Sequence, residues 1–134
     1  MERIVVGYDG SEQSRKALER AADIANGATV AVVSAAHVEG FLGGGVSPID
    51  PTEAEARTKA LAEAREYLDG RSVKGEYIEG NGNPADVLVE EAEASGADLI
   101  VVGTRGRNAA KRLALGSVST NVIAHAPCDV LVAR

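Results

Sequence analysis

Gly103-Thr104-Arg105-Gly106 follows a short apolar run, Asp98-Leu99-Ile100-Val101-Val102, and Gly116-Ser117 follows Gly106 after nine intervening residues. Val118, Val122, Ile123 and Ala126 then recur at helical spacing, which predicts that a helix starts at Gly116-Ser117. A helix N-terminus presents unpaired N–H groups and the positive end of the dipole, and glycine lets an anion approach the backbone closely. The spacing therefore reads as a loop that leaves a buried strand, lies against phosphate and ends as the first turn of a helix. Charge placement agrees with this. The chain carries 20 Asp and Glu against 14 Lys and Arg. Yet no carboxylate lies between Asp98 and Asp129, an interval that holds Arg105, Arg107, Lys111 and Arg112. A solvated basic loop is the plainer account of four cations; the glycine spacing is what favours an anion site.

Other chemistry finds little support. No Gly-x-x-x-x-Gly-Lys-[Ser/Thr] loop occurs. Gly80-Asn81-Gly82-Asn83-Pro84-Ala85 fits Gly-x-Gly-x-x-Ala, but it contains a proline and lacks an acidic residue about 20 positions on, so it reads as a turn and helix cap. His37 and His125 are far apart, with no Cys or His at metal-ligand spacing. His37 falls near the carboxyl end of a strand, where it can touch a ligand, and His125 reads as a surface or helix-end residue. Ser117, Ser119 and Thr120 have no evident activating base, so no catalytic residue is assigned. The single Cys128 excludes an intramolecular disulfide and reads as an inert, half-buried thiol. A formal net charge of −6 with no Trp and one Phe argues against nucleic acid as a partner. No apolar stretch approaches the roughly 18 residues of a membrane span and the start lacks a signal-peptide pattern, so the expectation is a cytoplasmic protein with no membrane partner.

The elements that would position the glycine loop alternate along the chain. Arg3 to Tyr8 is a predicted strand, followed by a turn at Gly7-Tyr8-Asp9-Gly10-Ser11 with Ser11 as N-cap. Ala17, Leu18, Ala21, Ala22 and Ala25 form a helical stripe closed by Asn26-Gly27. A second strand runs from Val30 and fades around Ala36-His37, before a loop containing Gly40, Gly43, Gly44 and Gly45. That loop reads as a tolerated surface connection rather than a lid. Asp50-Pro51-Thr52-Glu53 starts a helix with Leu61, Ala64 and Leu68 inward, ending at Gly70. Ser72 to Glu79 is a more polar strand, expected near an edge. Asn83-Pro84 caps a helix with Ala85, Leu88 and Ala92 inward, stopped at Ser95-Gly96. Asp98 to Val102 and Cys128 to Ala133 are the remaining strands.

Strands alternating with helices at these lengths predict an α/β fold over residues 1–134 as a single domain: a five-stranded parallel sheet with helices on both faces. Ile4-Val5-Val6 and Leu99-Ile100-Val101-Val102 are the most uniformly apolar strands and should be central. In an order 3-2-1-4-5 they are neighbours, and one crevice at the reversal of strand order collects Asp9, the glycine loop and the Gly116-Ser117 helix start. Asp9 there either accepts from a ribose hydroxyl, holds a Mg²⁺ that bridges phosphates, or braces the turn at Gly10-Ser11.

The pattern Gly103-x2-Gly106-x9-Gly116-Ser117, the opening Ile4-Val5-Val6-Gly7-Tyr8-Asp9-Gly10-Ser11, the Gly82-x-Pro84-Ala85 entry to a helix and the terminal Asp129-Val130-Leu131-Val132 together resemble the universal stress protein family. The resemblance spans nearly the whole chain; Pro127-Cys128-Asp129 departs from the more usual Cys-Pro before the last strand. It implies a Rossmann-like fold of the adenine nucleotide α-hydrolase-like kind, ATP binding in members with the complete glycine motif, and a homodimer through the last strand, Asp129 to Ala133. Carried over by position, Asp9 lies near ribose and adenine, Gly7, Tyr8 and Gly10 line that turn, and Ala35 packs on adenine. Gly103, Thr104, Arg105 and Gly106 form the ribose and phosphate loop, and Gly116, Ser117 and Val118, with Ser119 close by, form the phosphate-binding helix start. The function implied is an ATP-binding stress-response regulator, with Mg²⁺ held through Asp9 if at all, and little or no hydrolysis. A slow metal-dependent ATPase using Asp9 with Arg105 or Lys111, and a dimeric interaction module for AMP or cyclic AMP, are the alternatives.

Overall fold

A computed structural model describes residues 1–36, 50–104 and 115–134. Nine elements alternate: β1 (Arg3–Gly7), α1 (Glu12–Ala25), β2 (Thr29–Ala36), α2 (Pro51–Gly70), β3 (Gly75–Asn81), α3 (Pro84–Ser95), β4 (Leu99–Gly103), α4 (Ser117–His125) and β5 (Asp129–Ala133). The strands form one parallel sheet in the order β3-β2-β1-β4-β5, as the sequence predicts. Val6 pairs with Val32 on one side and Val101 on the other, so β1 is central and β4 lies next to it.

The apolar runs are continuous because both faces are covered. Ile4, Val6, Val30, Val32 and Val101 face α1 and α2, where they meet Ala17, Leu18, Ala21, Leu61, Ala64 and Leu68. Val5, Ala31, Val33, Ile100 and Val102 face α3 and α4 and meet Ala85, Leu88, Ala92 and Val122. The predicted inward stripes of α1, α2 and α3 are all buried. On α4 the stripe is narrower than its spacing suggests: Val122 is buried, Val118 and Ala126 are half-buried, and Ile123 is 49% exposed.

Local chemistry ends the helices where expected. Ser11 Oγ accepts from Ser14 N at 3.2 Å, Asp50 Oδ1 from Thr52 N at 2.8 Å and Asn83 Oδ1 from Ala85 N at 3.0 Å, each satisfying a first-turn donor. Asn26 closes α1 in the left-handed region. The third strand differs from expectation by starting at Gly75 rather than Ser72. Ser72 has φ 55°, and Ser72 N donates to Asp69 O while Val73 N donates to Leu68 O. These bonds hold the segment in the turn that ends α2, out of extended geometry. β3 is nonetheless an edge strand, in keeping with its polarity.

Candidate functional site

β1 and β4 end side by side where the sheet reverses direction, the position at which open α/β sheets leave a crevice. After β1 the chain turns through Tyr8, Asp9 and Gly10. Gly10 has φ +83°, a conformation open to glycine and strained for other residues. Asp9 Oδ1 accepts from Ser11 N at 2.9 Å, and Asp9 N donates to Ser14 Oγ at 3.3 Å, whose hydroxyl donates in turn to Ser11 O at 3.0 Å. The Asp9 carboxylate thus braces the turn, one of the roles its position allowed, and is held at the mouth of the crevice while doing so.

Tyr8 turns away from that mouth. Its ring is 5% exposed and packs in the core under α1 and α2. Its hydroxyl donates to Glu63 Oε2 on α2 at 3.3 Å, and Arg15 Nη2 lies 3.8 Å from the same oxygen. Burial raises the Tyr8 pKa, so the phenol keeps its proton at neutral pH. The contact ties α2 to the turn that carries Asp9.

The strand end of β4 is joined to the start of α4 by one carbonyl. Thr104 O accepts from Gly116 N at 2.6 Å and from Ser119 Oγ at 3.1 Å. Ser119 Oγ also lies 3.0 Å from Gly116 O, and its residue is only 2% exposed. Residues twelve apart in sequence are therefore neighbours at the crevice, and Ser119 acts as the inward brace of this junction. Gly116 is the N-cap of α4 and supplies no side-chain cap, so the first-turn N–H groups at exposed Ser117 and half-buried Val118 point toward the crevice end of the helix. The Thr104 hydroxyl donates to Gln13 Oε1 on α1 at 3.3 Å, which links this junction to the Asp9 turn.

Gly103 explains how α1 comes so close. A Cβ there would lie 2.6 Å from Gln13 O and 2.8 Å from Gln13 C. The space a side chain would take is filled by the backbone of α1. On the other face, a Cβ at Gly7 would meet only the Leu88 side chain, 2.9 Å away at its end. Ala35 is half-buried near the end of β2, beside Gly80 of β3.

Of the residues predicted for the site, Gly7, Asp9, Gly10, Gly103, Thr104, Gly116, Ser117, Val118 and Ser119 gather around the β1, β4 and α4 ends, with Ala35 one strand away. Arg105 and Gly106, together with Arg107, Lys111, Arg112, His37 and the glycines of residues 40–45, lie outside the described residues. Three contributors were missed by sequence reasoning. Gln13 and Ser14 carry no distinguishing signal. Arg57 carried one, because it falls on the α2 stripe with Ala60, Leu61, Ala64 and Leu68. Its guanidinium is 9% exposed; Nη1 donates to Gly80 O at 2.8 Å and Asn81 Oδ1 at 2.7 Å, and Nη2 pairs with Glu79 at 3.2 Å. It clamps the carboxyl end of β3.

Gly80 to Ala85 is a turn and helix cap, as expected: Gly82 has φ +118° and Asn83 caps α3. His125 is exposed at the end of α4, its Nδ1 2.9 Å from Asn121 O. Burial pushes the Cys128 thiol pKa up, which leaves it protonated at neutral pH. Among the described residues no group of three or more His, Cys, Asp or Glu is placed to hold a metal, and no helix is long and apolar enough to cross a membrane.

The model of the universal stress protein family matches residues 1–134. The chain belongs to that family. Universal stress protein YxiE of Bacillus subtilis is 33% identical over 145 residues, covering 98% of each chain. Among solved structures, a universal stress protein in complex with cAMP is 30% identical with a TM-score of 0.79, covering 99% of this chain and 97% of that one. A universal stress protein from Archaeoglobus fulgidus in complex with dAMP is 25% identical with a TM-score of 0.77, covering 100% of this chain and 98% of the other. The fold is the Rossmann-like one of these universal stress proteins.

Proposed function

We propose that this universal stress protein is a cytoplasmic, single-domain regulator that binds an adenine nucleotide at the carboxyl ends of β1 and β4 and changes its partners with occupancy, with little turnover. The observation that carries this is the junction at Thr104, which ties the uncapped start of α4 to the end of β4 and, through the Thr104 hydroxyl, to Gln13 of α1, the helix that follows the Asp9 turn. Phosphate at that helix end meets backbone donors and the positive end of the dipole. Asp9 accepts from a ribose hydroxyl, Ala35 lies against adenine, and Arg105 and Gly106 belong to the phosphate loop. The cAMP and dAMP complexes of two neighbours support an adenine ligand.

ATP is the ligand we assign, on the complete glycine pattern. A Mg²⁺ would be held chiefly by the phosphates, since the described residues offer the single carboxylate of Asp9 and no cluster. The monophosphates bound by both neighbours favour a second reading, in which AMP or cyclic AMP is the physiological ligand. The assembly we assign is a homodimer through β5, an edge strand whose Val130, Leu131 and Val132 are half-buried and whose outer backbone groups a second copy can pair.

Calorimetric titration of folded protein with ATP, ADP, AMP and cyclic AMP, with and without Mg²⁺, tests both readings. Saturable ATP binding that weakens at least tenfold in Asp9→Ala and Gly106→Val supports the first. Preference for a monophosphate selects the second, and no binding of any of the four refutes the site.

A further inference from the structure

On the face of the sheet away from α1 and α2, helices α3 and α4 pack side by side, and the seam between them opens to the surface as a groove of about 290 Å³. None of the residues of the β1–β4 crevice lines it. Half-buried Val89 supplies its accessible apolar part over buried Ala85, and Asn121 and His125 of α4 form one wall. The other wall is a row of carboxylates, Asp86, Glu90 and Glu93, spaced four and three residues apart and so aligned on one side of α3. Neither helix contains a Lys or Arg. The fourth acid of α3, Glu91, pairs with Arg3, whereas among the described residues Asp86, Glu90 and Glu93 have no ion-pair partner. Among the described residues, three carboxylates without an ion-pair partner therefore stand along roughly 10 Å of helix axis beside Val89.

We infer that the α3–α4 groove is a docking surface for a cationic amphipathic helix of a partner protein. Both helices return against parallel strands and so run in the same direction, and the furrow between two such helices accepts the side-chain ridge of a third. An apolar side chain of the ridge fits against Val89, and Lys or Arg at matching i, i+4, i+7 positions faces the carboxylate row. The sign of the charge turns away nucleic acid and anionic membrane surfaces. Because the far end of α4 holds the Thr104 junction, a helix seated here bears on the same element that ends at the crevice.

The test uses the full ¹⁵N-labelled chain titrated with a 14-residue helical peptide of Leu and Lys, beside a Leu and Glu peptide of the same pattern and spermine. Saturable shifts centred on residues 85–93 and 121–125 are expected with the Lys peptide alone. Exposed ion pairs contribute about a factor of two each, so Asp86→Asn/Glu90→Gln/Glu93→Gln should weaken binding roughly eightfold. Asp86 also stabilises the first turn of α3, so Glu90→Gln/Glu93→Gln is measured as well and should weaken binding roughly fourfold with the helix intact. Shifts scattered over α1 and α2, equal binding of the Glu peptide, or unaltered affinity in both variants overturns the proposal. Spermine binding at the same residues as tightly as the peptide overturns it too, in favour of a small polycation.

Discussion

Gly103 is the position at which the geometry of the crevice can be broken by one methyl group. Alanine there would set a Cβ 2.6 Å from Gln13 O, 2.8 Å from Gln13 C and 3.0 Å from Gln13 Cβ. The first two are backbone atoms in the opening turn of α1, so no rotamer change relieves them, and the turn must move back by several tenths of an ångström. Ser11 and Ser14 move with it, and so does Asp9, whose carboxylate accepts from Ser11 N and whose N–H donates to Ser14 Oγ. Overpacking of this kind costs about 1–3 kcal/mol, which for a chain of this length lowers Tm by roughly 4–12 °C. Gly7→Ala is the comparison: its new methyl meets the buried Leu88 side chain, 2.9 Å away, and no backbone atom, so a side-chain shift alone can admit it and the expected loss is the smaller one, about 1 kcal/mol. Circular dichroism melts of the three proteins, recorded without nucleotide, measure this effect, and calorimetric titration with ATP, the ligand proposed above, tests for displacement of the Asp9 turn. If Gly103→Ala melts within about 2 °C of the parent and no lower than Gly7→Ala, α1 does not approach β4 as described, and the physical link between the two sides of the crevice fails.

Two further outcomes follow from contacts away from the crevice. Arg57→Lys keeps the charge but cannot reproduce the fork that reaches Gly80 O, Asn81 Oδ1 and Glu79 together. It should lower the urea-unfolding free energy by about 1–3 kcal/mol, and a change below about 0.5 kcal/mol would show that the clamp is dispensable. Asp98 accepts from Glu2 N at 2.7 Å and Arg3 N at 3.0 Å, and these bonds hold its pKa below the usual carboxylate value. A depressed folded pKa contributes stability that is fully present above the unfolded value of about 3.9 and is lost as pH falls through the folded one. The urea midpoint of the parent should therefore exceed that of Asp98→Asn at pH 7, with the gap closing on acidification below about pH 4. A gap of constant size from pH 7 to pH 2.5 contradicts the assignment.

The order of the sheet could be read from the chain because burial on both faces leaves an unambiguous mark: Ile4-Val5-Val6 and Leu99-Ile100-Val101-Val102 have no polar alternation to confuse with an edge. β3 lacks that mark. Its start was misplaced at Ser72 because a left-handed turn residue and a polar edge strand look alike in composition, and only the hydrogen bonds from Ser72 N and Val73 N back to α2 separate them. On α4 a helical period identified the element but could not tell Ile123, which is exposed, from Val122, which is not, since a short helix against a sheet edge buries a narrow face.

The glycines of the site are the instructive case. A glycine beside a phosphate loop suggests that a ligand needs the missing side chain's space, yet at Gly103 that space is filled by the Gln13 backbone. Spacing in a sequence reports that a side chain is excluded, and only packing reports by what. The two causes can be separated by experiment, because a methyl that displaces α1 lowers stability without nucleotide, whereas one that only blocks a ligand lowers affinity and leaves the melting temperature unchanged. Arg57 teaches the converse. A cation in register with Ala60, Leu61, Ala64 and Leu68 breaks the polarity pattern of α2, and a charge at an inward position must find partners there; three of them, at the end of β3, are what the fold supplies. A residue that violates its helix's pattern points to the element across from it.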